Sequence, residues 1–289
     1  MSIGLAVTLG VGLLVGFLLI KFNSTNDEAA KFKKNLGYVS FDADAVLTEN
    51  ELKKRMEIVG LGEYWQQLEA HLQPDVSFKT TATPEEDIAL GASKIGGVPH
   101  LDASVKVPSE TVFLCQINCS ELSDLQKNNF FPDKGILYFF LNPQKMKSEK
   151  TDAVSVLYVE NQGDIQLRDD VMPLAEVKPC VMRFFQSVSL PDYEAAEVRN
   201  LLKDYEIDGY FLATNQEQSH KLFGYPVIIS QDFELNENQY LLLQLDSEDH
   251  SGLLWKNMGR IYVFAYKQDT KKQNFTRISA YIQSYEEKD

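Results

Sequence analysis

Cysteine and histidine are scarce in this chain, whose 289 residues contain three cysteines and four histidines. A structural zinc site usually needs four nitrogen or sulfur ligands in closely spaced pairs. Cys115 and Cys119 are near neighbours, but Cys115 lies in an apolar, strand-like segment and the histidines are scattered. We therefore predict buried thiols, with no metal and no other cofactor. The odd number of cysteines also argues against an oxidising compartment.

Basic residues are also in short supply. The chain carries 28 lysines and arginines against 42 aspartates and glutamates, a formal net charge of −14. A protein that binds nucleic acid needs a basic surface to displace counterions from phosphates, and this sequence has no basic stripe. We therefore exclude nucleic acid as a partner. The 44% apolar content supplies a full core, so we interpret the acidity as soluble surface charge and not as disorder.

Sequence signatures of catalysis are missing as well. The chain has no Gly-x-Ser-x-Gly, Walker A, Gly-x-Gly-x-x-Gly or His-Glu-x-x-His motif. The absence of these motifs does not exclude a catalytic triad, because the members of a triad meet in space and not in sequence. One acidic region lacks the ligand spacing of an EF-hand loop, so we predict that its carboxylates are solvated turn residues: Asp232, Glu234, Asp246, Glu248 and Asp249.

One long apolar run is present, at residues 3–20, and it carries no charge. As a helix these residues would span roughly 27 Å, close to the roughly 30 Å hydrocarbon core of a bilayer. A cleaved signal peptide would show a basic segment before the run and small residues at a cleavage site after it. Neither is present, so we predict an uncleaved, single-pass transmembrane anchor over residues 1–22.

The lysines around this run predict its orientation. Four lysines follow the run, at Lys21, Lys31, Lys33 and Lys34, and no lysine or arginine precedes it. Positive residues stay preferentially on the cytoplasmic side, which places the rest of the chain in the cytoplasm. Gly12 and Gly16 have the spacing that lets two membrane helices pack closely, so a homodimer through these glycines is a further expectation.

Beyond the anchor we predict a polar linker over residues 23–46 and one domain over residues 47–289. Thr48 and Glu51 have the spacing of a capping box at the start of a helix. Another helix is predicted at about residues 193–205. Short apolar strands outnumber helices, and the helices lie between groups of strands. This pattern favours an α+β fold with a largely antiparallel sheet.

The second half of the domain repeats sequence blocks of the first. Lys94, Gly97 and Pro99 stand 127 positions before Lys221, Gly224 and Pro226. Residues 114–118 match residues 242–246, and residues 135–140 match residues 259–264. Three matching blocks in one order predict an internal duplication, with repeats at about residues 90–175 and 217–285.

These blocks together resemble the YwqG-like family of bacterial proteins of unknown function, over about residues 75–285. The resemblance implies a duplicated α+β domain with a barrel-like sheet and peripheral helices. It also implies no established enzymatic activity, and it includes relatives linked to toxin–immunity loci. The chain departs from the family at residues 101–110, which lack tryptophan, and at residues 255–259, which lack the family's aspartate.

The repeated blocks also supply the candidate site. Gln116 and Gln244 lie within apolar strands, where an unpaired amide would cost about 1–3 kcal/mol, so each needs a partner. One interpretation is structural: each glutamine ties its strand to the neighbouring loop. His220 and Lys221 are interpreted as exposed, with anion binding as the alternative. The functional alternative is one polar cleft between the repeats, lined by Lys94, Gln116, Asn118, His220, Lys221, Gln244 and Asp246.

Two functions are compatible with these features. The first is a membrane-anchored, non-enzymatic binding protein that recognises a basic protein partner, because an acidic surface attracts basic partners. An immunity-type inhibitor is one form of this function. The second is an enzyme or small-ligand-binding protein that uses the cleft between the repeats. We expect the first.

Overall fold

The computed structural model describes residues 27–42, 45–126, 131–146, 150–161, 163–214, 220–229, 236–256 and 258–284. The helices in these ranges are α1 (Asp27–Leu36), α2 (Glu49–Ile58), α3 (Trp65–Glu69), α4 (Ala196–Arg199), α5 (Ile207–Thr214) and α6 (Lys267–Thr270). The strands are β1 (Gln73–Ala82), β2 (Lys94–Ile95), β3 (His100–Asp102), β4 (Val112–Asn118), β5 (Ile136–Leu141), β6 (Lys150–Thr151), β7 (Val154–Val159), β8 (Ile165–Leu167), β9 (Cys180–Ser189), β10 (Lys221–Phe223), β11 (Gln239–Asp246), β12 (Arg260–Tyr266) and β13 (Ile278–Gln283).

Eleven of these strands form one sheet in the order β6-β13-β12-β11-β10-β1-β9-β2-β4-β5-β7, and β3 pairs with β8 in a separate two-stranded sheet. The pairs along the large sheet are antiparallel. The edge strands β6 and β7 are joined by residues 152–153, so the sheet curls into a nearly closed barrel. The predicted α+β fold with a largely antiparallel, barrel-like sheet is confirmed at this level.

Strand residues alternate between the two faces of the sheet. The residues that face the barrel interior are apolar. In β5, Leu137, Phe139 and Leu141 belong to the large interior cluster. Their neighbours Tyr138 and Phe140 belong to a smaller cluster on the other face. β12 repeats the pattern, with Ile261, Val263 and Ala265 inside and Tyr262 and Phe264 outside.

A second hydrophobic cluster forms the helical layer, α1–α5, which lies beside the end of β9. Its buried members include Leu52, Met56, Trp65, Val198 and Tyr210. Thr48 begins α2 as predicted, because its hydroxyl accepts the Glu51 backbone N–H at 3.2 Å. The layer places Leu190 and the residues after it against the end of the central strands.

Two predictions for this layer differ from the structure. The linker predicted over residues 23–46 contains helix α1, whose Phe32 and Leu36 pack against the second cluster. These two apolar residues are four positions apart and form a stripe on one helix face. The helix predicted at about residues 193–205 is instead the single turn α4, and α5 follows it. The chain begins a new helix there because the Glu206 carboxylate accepts the Lys203 backbone N–H at 2.9 Å.

The predicted anchor, residues 3–20, lies outside the described ranges, together with Gly12 and Gly16. Among the helices of the described ranges, none combines the length and the apolar character needed to cross a bilayer.

Candidate functional site

The two repeated loops each follow a buried lysine. Lys94 in β2 lies opposite Gln116 in β4, and Lys221 in β10 lies opposite Gln244 in β11. The lysine side chains are 0% and 5% exposed. The interpretation of Lys221 as an exposed residue is therefore wrong, because the sheet and an ion pair cover it.

The chain after each lysine takes the same unusual backbone conformation. Gly96 and Gly97 have φ angles of 67° and 64°, and Phe223 and Gly224 have φ angles of 67° and 66°. Two consecutive left-handed residues fold the loop back over its strand, and glycine adopts this conformation most easily. A side chain at Gly97 would also overlap the Glu85 carboxylate. These loops therefore require glycine where the two copies share it.

The two glutamines hold the residue that follows each loop proline. Gln116 Oε1 accepts the His100 N–H at 2.8 Å, and Gln244 Oε1 accepts the Val227 N–H at 2.9 Å. Gln116 also donates from Nε2 to the Ala92 carbonyl at 2.7 Å. These bonds fit the interpretation that each glutamine ties its strand to the neighbouring loop.

Two tyrosines complete the same arrangement from the next strand. Tyr138 donates its hydroxyl to the His100 carbonyl at 2.6 Å, and Tyr262 donates to the Val227 carbonyl at 2.8 Å. The residue after each proline is thus held through both its N–H and its C=O. An unpaired backbone group at such a buried place would be costly, so these side chains stabilise the loops.

The residues before the lysines make a third pair of equivalent contacts. Ser93 Oγ accepts the Asn118 N–H at 2.8 Å, and His220 Nδ1 accepts the Asp246 N–H at 3.1 Å. Since a backbone N–H can only donate, Nδ1 of His220 has no proton, and the proton of the neutral ring is on Nε2. His220 is 5% exposed, so its interpretation as an exposed residue is also wrong.

The structure places the predicted site residues in two networks and not in one cleft. In the sheet, β2 and β10 are separated by β9 and β1, which sets them roughly 14 Å apart at the usual strand spacing. Apolar side chains fill the barrel between the walls. One network contains Lys94, Gln116 and Asn118, and the other contains His220, Lys221, Gln244 and Asp246.

The ammonium of Lys94 is covered by groups from its own loop and from an earlier segment. It binds the Glu85 carboxylate and donates to the Val98 carbonyl at 2.8 Å. His100 donates from Nε2 to Glu85 at 3.0 Å, because its Nδ1 accepts the Gly91 N–H. Burial raises the pKa of Glu85, but the bonds from His100 and Lys94 outweigh it and hold this pKa below its ordinary value.

The ammonium of Lys221 binds Asp75, at 3.1 Å from Oδ2. Asp75 in turn accepts the Ser187 hydroxyl, and that hydroxyl accepts the Ser77 N–H at 2.8 Å. This ion pair borders a cavity of about 50 Å³ between the central strands and the helical layer. We call this site the Lys221 pocket and define it by Asp75, Lys221, Asp192, Tyr193, Phe211 and Tyr225.

Glu248 is the centre of another buried polar cluster. Its Oε1 accepts the Thr80 hydroxyl at 2.6 Å and the His220 Nε2 proton at 3.2 Å. His250, which is about half exposed, lies 3.4 Å from the same oxygen. Burial raises the pKa of Glu248, but the bonds from His220 and Thr80 outweigh it and lower the pKa to about 2. The carboxylate is therefore ionised at neutral pH.

The prediction of solvated turn acids is wrong for two residues of the acidic region. Glu248 is 2% exposed and Asp246 is 5% exposed. Asp246 binds the guanidinium of Arg260, with 2.5 Å between Oδ2 and Nη2. Both acids are buried because residues distant in sequence supply their partners. Asp232 and Glu234 lie outside the described residues.

The three cysteines are buried and free, as predicted. Burial raises the pKa of Cys180 to about 11 and that of Cys119 to about 12. Both thiols therefore stay protonated near pH 7 and are poor nucleophiles. Within the described residues, no group of three or more histidine, cysteine or acidic side chains is placed to hold a metal ion.

Sequence reasoning missed the acids that neutralise the two lysines. Asp75 and Glu85 both lie outside the repeated blocks. Asp75 is 146 residues from Lys221 in sequence, and Glu85 is nine residues before Lys94, a spacing that matches no helix or strand period. A partner was expected for each glutamine because a buried amide requires one. The same argument applied to a lysine within an apolar strand would have indicated a buried acid.

A family model described as Domain of unknown function (DUF1963) matches residues 93–283, which is more than half of the chain. A search of curated proteins found no match. The matched range contains both lysine networks but begins after Asp75 and Glu85. The narrower YwqG-like assignment stays a prediction.

We predict that Gln116→Leu and Gln244→Leu each lower the free energy of unfolding by about 2 kcal/mol, because each removes a buried amide and leaves the backbone N–H of His100 or Val227 without its acceptor. Denaturant unfolding of the purified variants measures this loss. Gln166→Leu is the matched control, since Gln166 is exposed on β8 and its replacement changes stability by less than about 0.5 kcal/mol. Unchanged stability in either buried variant would show that its glutamine does not hold the loop.

A second prediction concerns acid stability. The pKa of Glu248 lies near 2 in the folded chain and near 4.5 when unfolded, so its ionised form stabilises the fold above pH 4.5. This contribution is lost as the pH falls from 4.5 towards 2. Urea unfolding between pH 6 and pH 2 should show wild type and Glu248→Gln converging over that range. The exposed Glu237→Gln is the control, and a difference that stays constant with pH would contradict the assignment.

Proposed function

Because this chain belongs to the family described as Domain of unknown function (DUF1963), we propose its function from its structure: a non-enzymatic, membrane-anchored protein that binds a basic protein partner. The main support for this proposal is that the candidate polar residues are occupied with structural contacts within the fold. Each lysine, glutamine and acid of the two networks holds a loop or neutralises a buried charge.

The barrel itself offers little room for a substrate. Its interior cluster draws apolar side chains from both halves of the sheet, among them Phe78, Phe139, Leu222 and Ile261. Small-molecule sites usually have volumes of about 300–1,000 Å³ with a few converging polar groups. The partly open cavity beside Lys221 has about 50 Å³, and the larger space of about 390 Å³ beside Phe131, Lys134 and Thr270 is an open depression outside the barrel interior. These features favour recognition at the protein surface over chemistry in the interior.

The net charge of −14 supports a basic partner. Complementary charge accelerates association and suppresses pairing with proteins of like charge. An acidic domain held at a membrane would therefore select basic proteins near that membrane. An immunity-type inhibitor of a basic toxin has this chemistry and is the specific form that we favour.

We further propose that the domain arose by internal duplication. Strands β2-β4-β5-β7 and β10-β11-β12-β13 follow the same order outward from the central pair β1 and β9. The register shifts after Phe113 in β4 and after Leu241 in β11, which are equivalent positions. The equivalent loop contacts support the same origin. A crystal structure in which Gln116 and Gln244 bind non-equivalent loops would rule it out.

The anchor proposal rests on residues 3–20 and on the lysines that follow them. We expect the full-length chain to stay in the membrane fraction after carbonate extraction and to resist protease added to intact cells. A chain lacking residues 3–20 is expected in the supernatant. Release of the full-length chain by carbonate would refute the anchor, and digestion in intact cells would refute the cytoplasmic orientation alone.

The partner proposal predicts salt-sensitive capture of a basic protein. Full-length protein in detergent, immobilised at about 50 mM salt, is expected to retain a protein with a high isoelectric point. Its association rate should fall at least about tenfold at 500 mM salt, because screening shortens the range of the attraction. The purified partner must then bind in the reverse orientation. Retention that is independent of salt, or the absence of any specific basic protein, would contradict the proposal.

A further inference from the structure

We propose that the Lys221 pocket receives an arginine or lysine side chain of the partner, an inference that rests on the proposed function. The pocket lies where the central strands meet the helical layer. Its floor is the buried pair Asp75 and Lys221, and its rim contains Asp192 with the rings of Tyr193, Phe211 and Tyr225.

The charges around the pocket favour a cation. Lys221 and Asp75 neutralise each other at 3.1 Å. Asp192 accepts the Glu194 N–H at 2.9 Å through Oδ1, and within the described residues no basic side chain forms an ion pair with it. Arg199 in the following helix turn α4 binds Glu194 and Asp204 instead. The pocket therefore holds one negative charge that lacks a counter-ion.

Burial makes this charge costly. Burial and the neighbouring Glu194 raise the pKa of Asp192, and the Glu194 backbone N–H opposes them only in part. An incoming ammonium or guanidinium would restore the lost solvation through a charge-assisted hydrogen bond. An anion would meet two carboxylates and one ammonium, so the same charges disfavour it.

The rings at the rim suit the same ligand. Tyr193 and Phe211 pack edge to face with centroids 5.9 Å apart. Phe211 is 43% exposed, so its ring is accessible to a ligand at the rim. Tyr225 is fixed by a 2.9 Å bond from its N–H to Ser189 Oγ. Aromatic faces attract cations and pack well against the flat guanidinium group or the apolar stem of lysine.

The size of the cavity also fits a side chain better than a free ligand. A cavity of about 50 Å³ holds one or two water molecules, which is far below the volume of a small-molecule site. A side chain delivered by a docked protein needs only its tip in the enclosed part. Its remaining contacts lie at the rim.

The test uses three capped tripeptides as probes: acetyl-Gly-Arg-Gly-amide, acetyl-Gly-Leu-Gly-amide and acetyl-Gly-Glu-Gly-amide. Saturation-transfer NMR with the full-length protein in detergent is expected to show the arginine peptide binding about tenfold more tightly than the other two. Asp192→Asn keeps an oxygen for the Glu194 N–H but removes the charge, and it should weaken arginine binding about tenfold. The control Glu69→Gln removes an exposed acid elsewhere in the helical layer and should leave binding unchanged.

Phe211→Ala is the second variant, and it is expected to weaken the arginine peptide several-fold without loss of folding, since Phe211 is exposed. Equal binding of the arginine and glutamate peptides, or equal arginine binding by wild type and Asp192→Asn, would overturn the pocket assignment. If a basic partner binds wild type and Asp192→Asn equally, the pocket assignment fails while the proposed function stands. If the arginine peptide binds through Asp192 but no basic protein is captured, the proposed function fails while the pocket assignment stands.

Discussion

The domain depends on satisfying backbone polar groups where two left-handed loops turn inside apolar surroundings. At each loop the residue after the proline is held on both sides, by a glutamine from one strand and a tyrosine from the next. Strand pairing places each lysine opposite its glutamine, and these contacts hold the loop that follows the lysine against the sheet. In this fold the glutamine and tyrosine side chains within the strands therefore satisfy backbone N–H and C=O groups of the loops.

The buried charges follow from the same geometry. A lysine beneath a folded-back loop is cut off from water and requires a nearby acid. Glu85 meets this need for Lys94, and Asp75 meets it for Lys221, although neither acid lies in the repeated blocks. The two lysines nevertheless differ in their environment. Lys94 is sealed by its own loop, whereas Lys221 borders an opening beneath the helical layer. The second network is therefore the one where a surface ligand can approach a buried ion pair.

Local patterns in the sequence predicted much of the sheet, because a short, continuous apolar run is typical of a single buried strand. The apolar strands at residues 136–141 and 260–266 were foreseeable for this reason, and so was the cap at Thr48. The repeated glutamines were recognisable as structural, because a buried amide demands a partner wherever it lies. The partners themselves were not foreseeable. Asp75 meets Lys221 and Glu248 meets His220 only after separate strands pair, and Glu85 meets Lys94 through an irregular segment with no periodic pattern. Helix α1 was missed because its lysines hid the short stripe of Phe32 and Leu36.

The place of β1 at the centre of the sheet has a consequence for synthesis of the chain. β1 pairs with β9 on one side and with β10 on the other, and the contact between Ser77 and Ser187 already spans 110 residues. While the ribosome makes the first half, β1 has neither neighbour, and both of its edges stay open. Such non-local pairing slows folding, and open strand edges attract other chains. The growing chain thus passes through an extended period in which its central strand must be kept from pairing with the wrong partner.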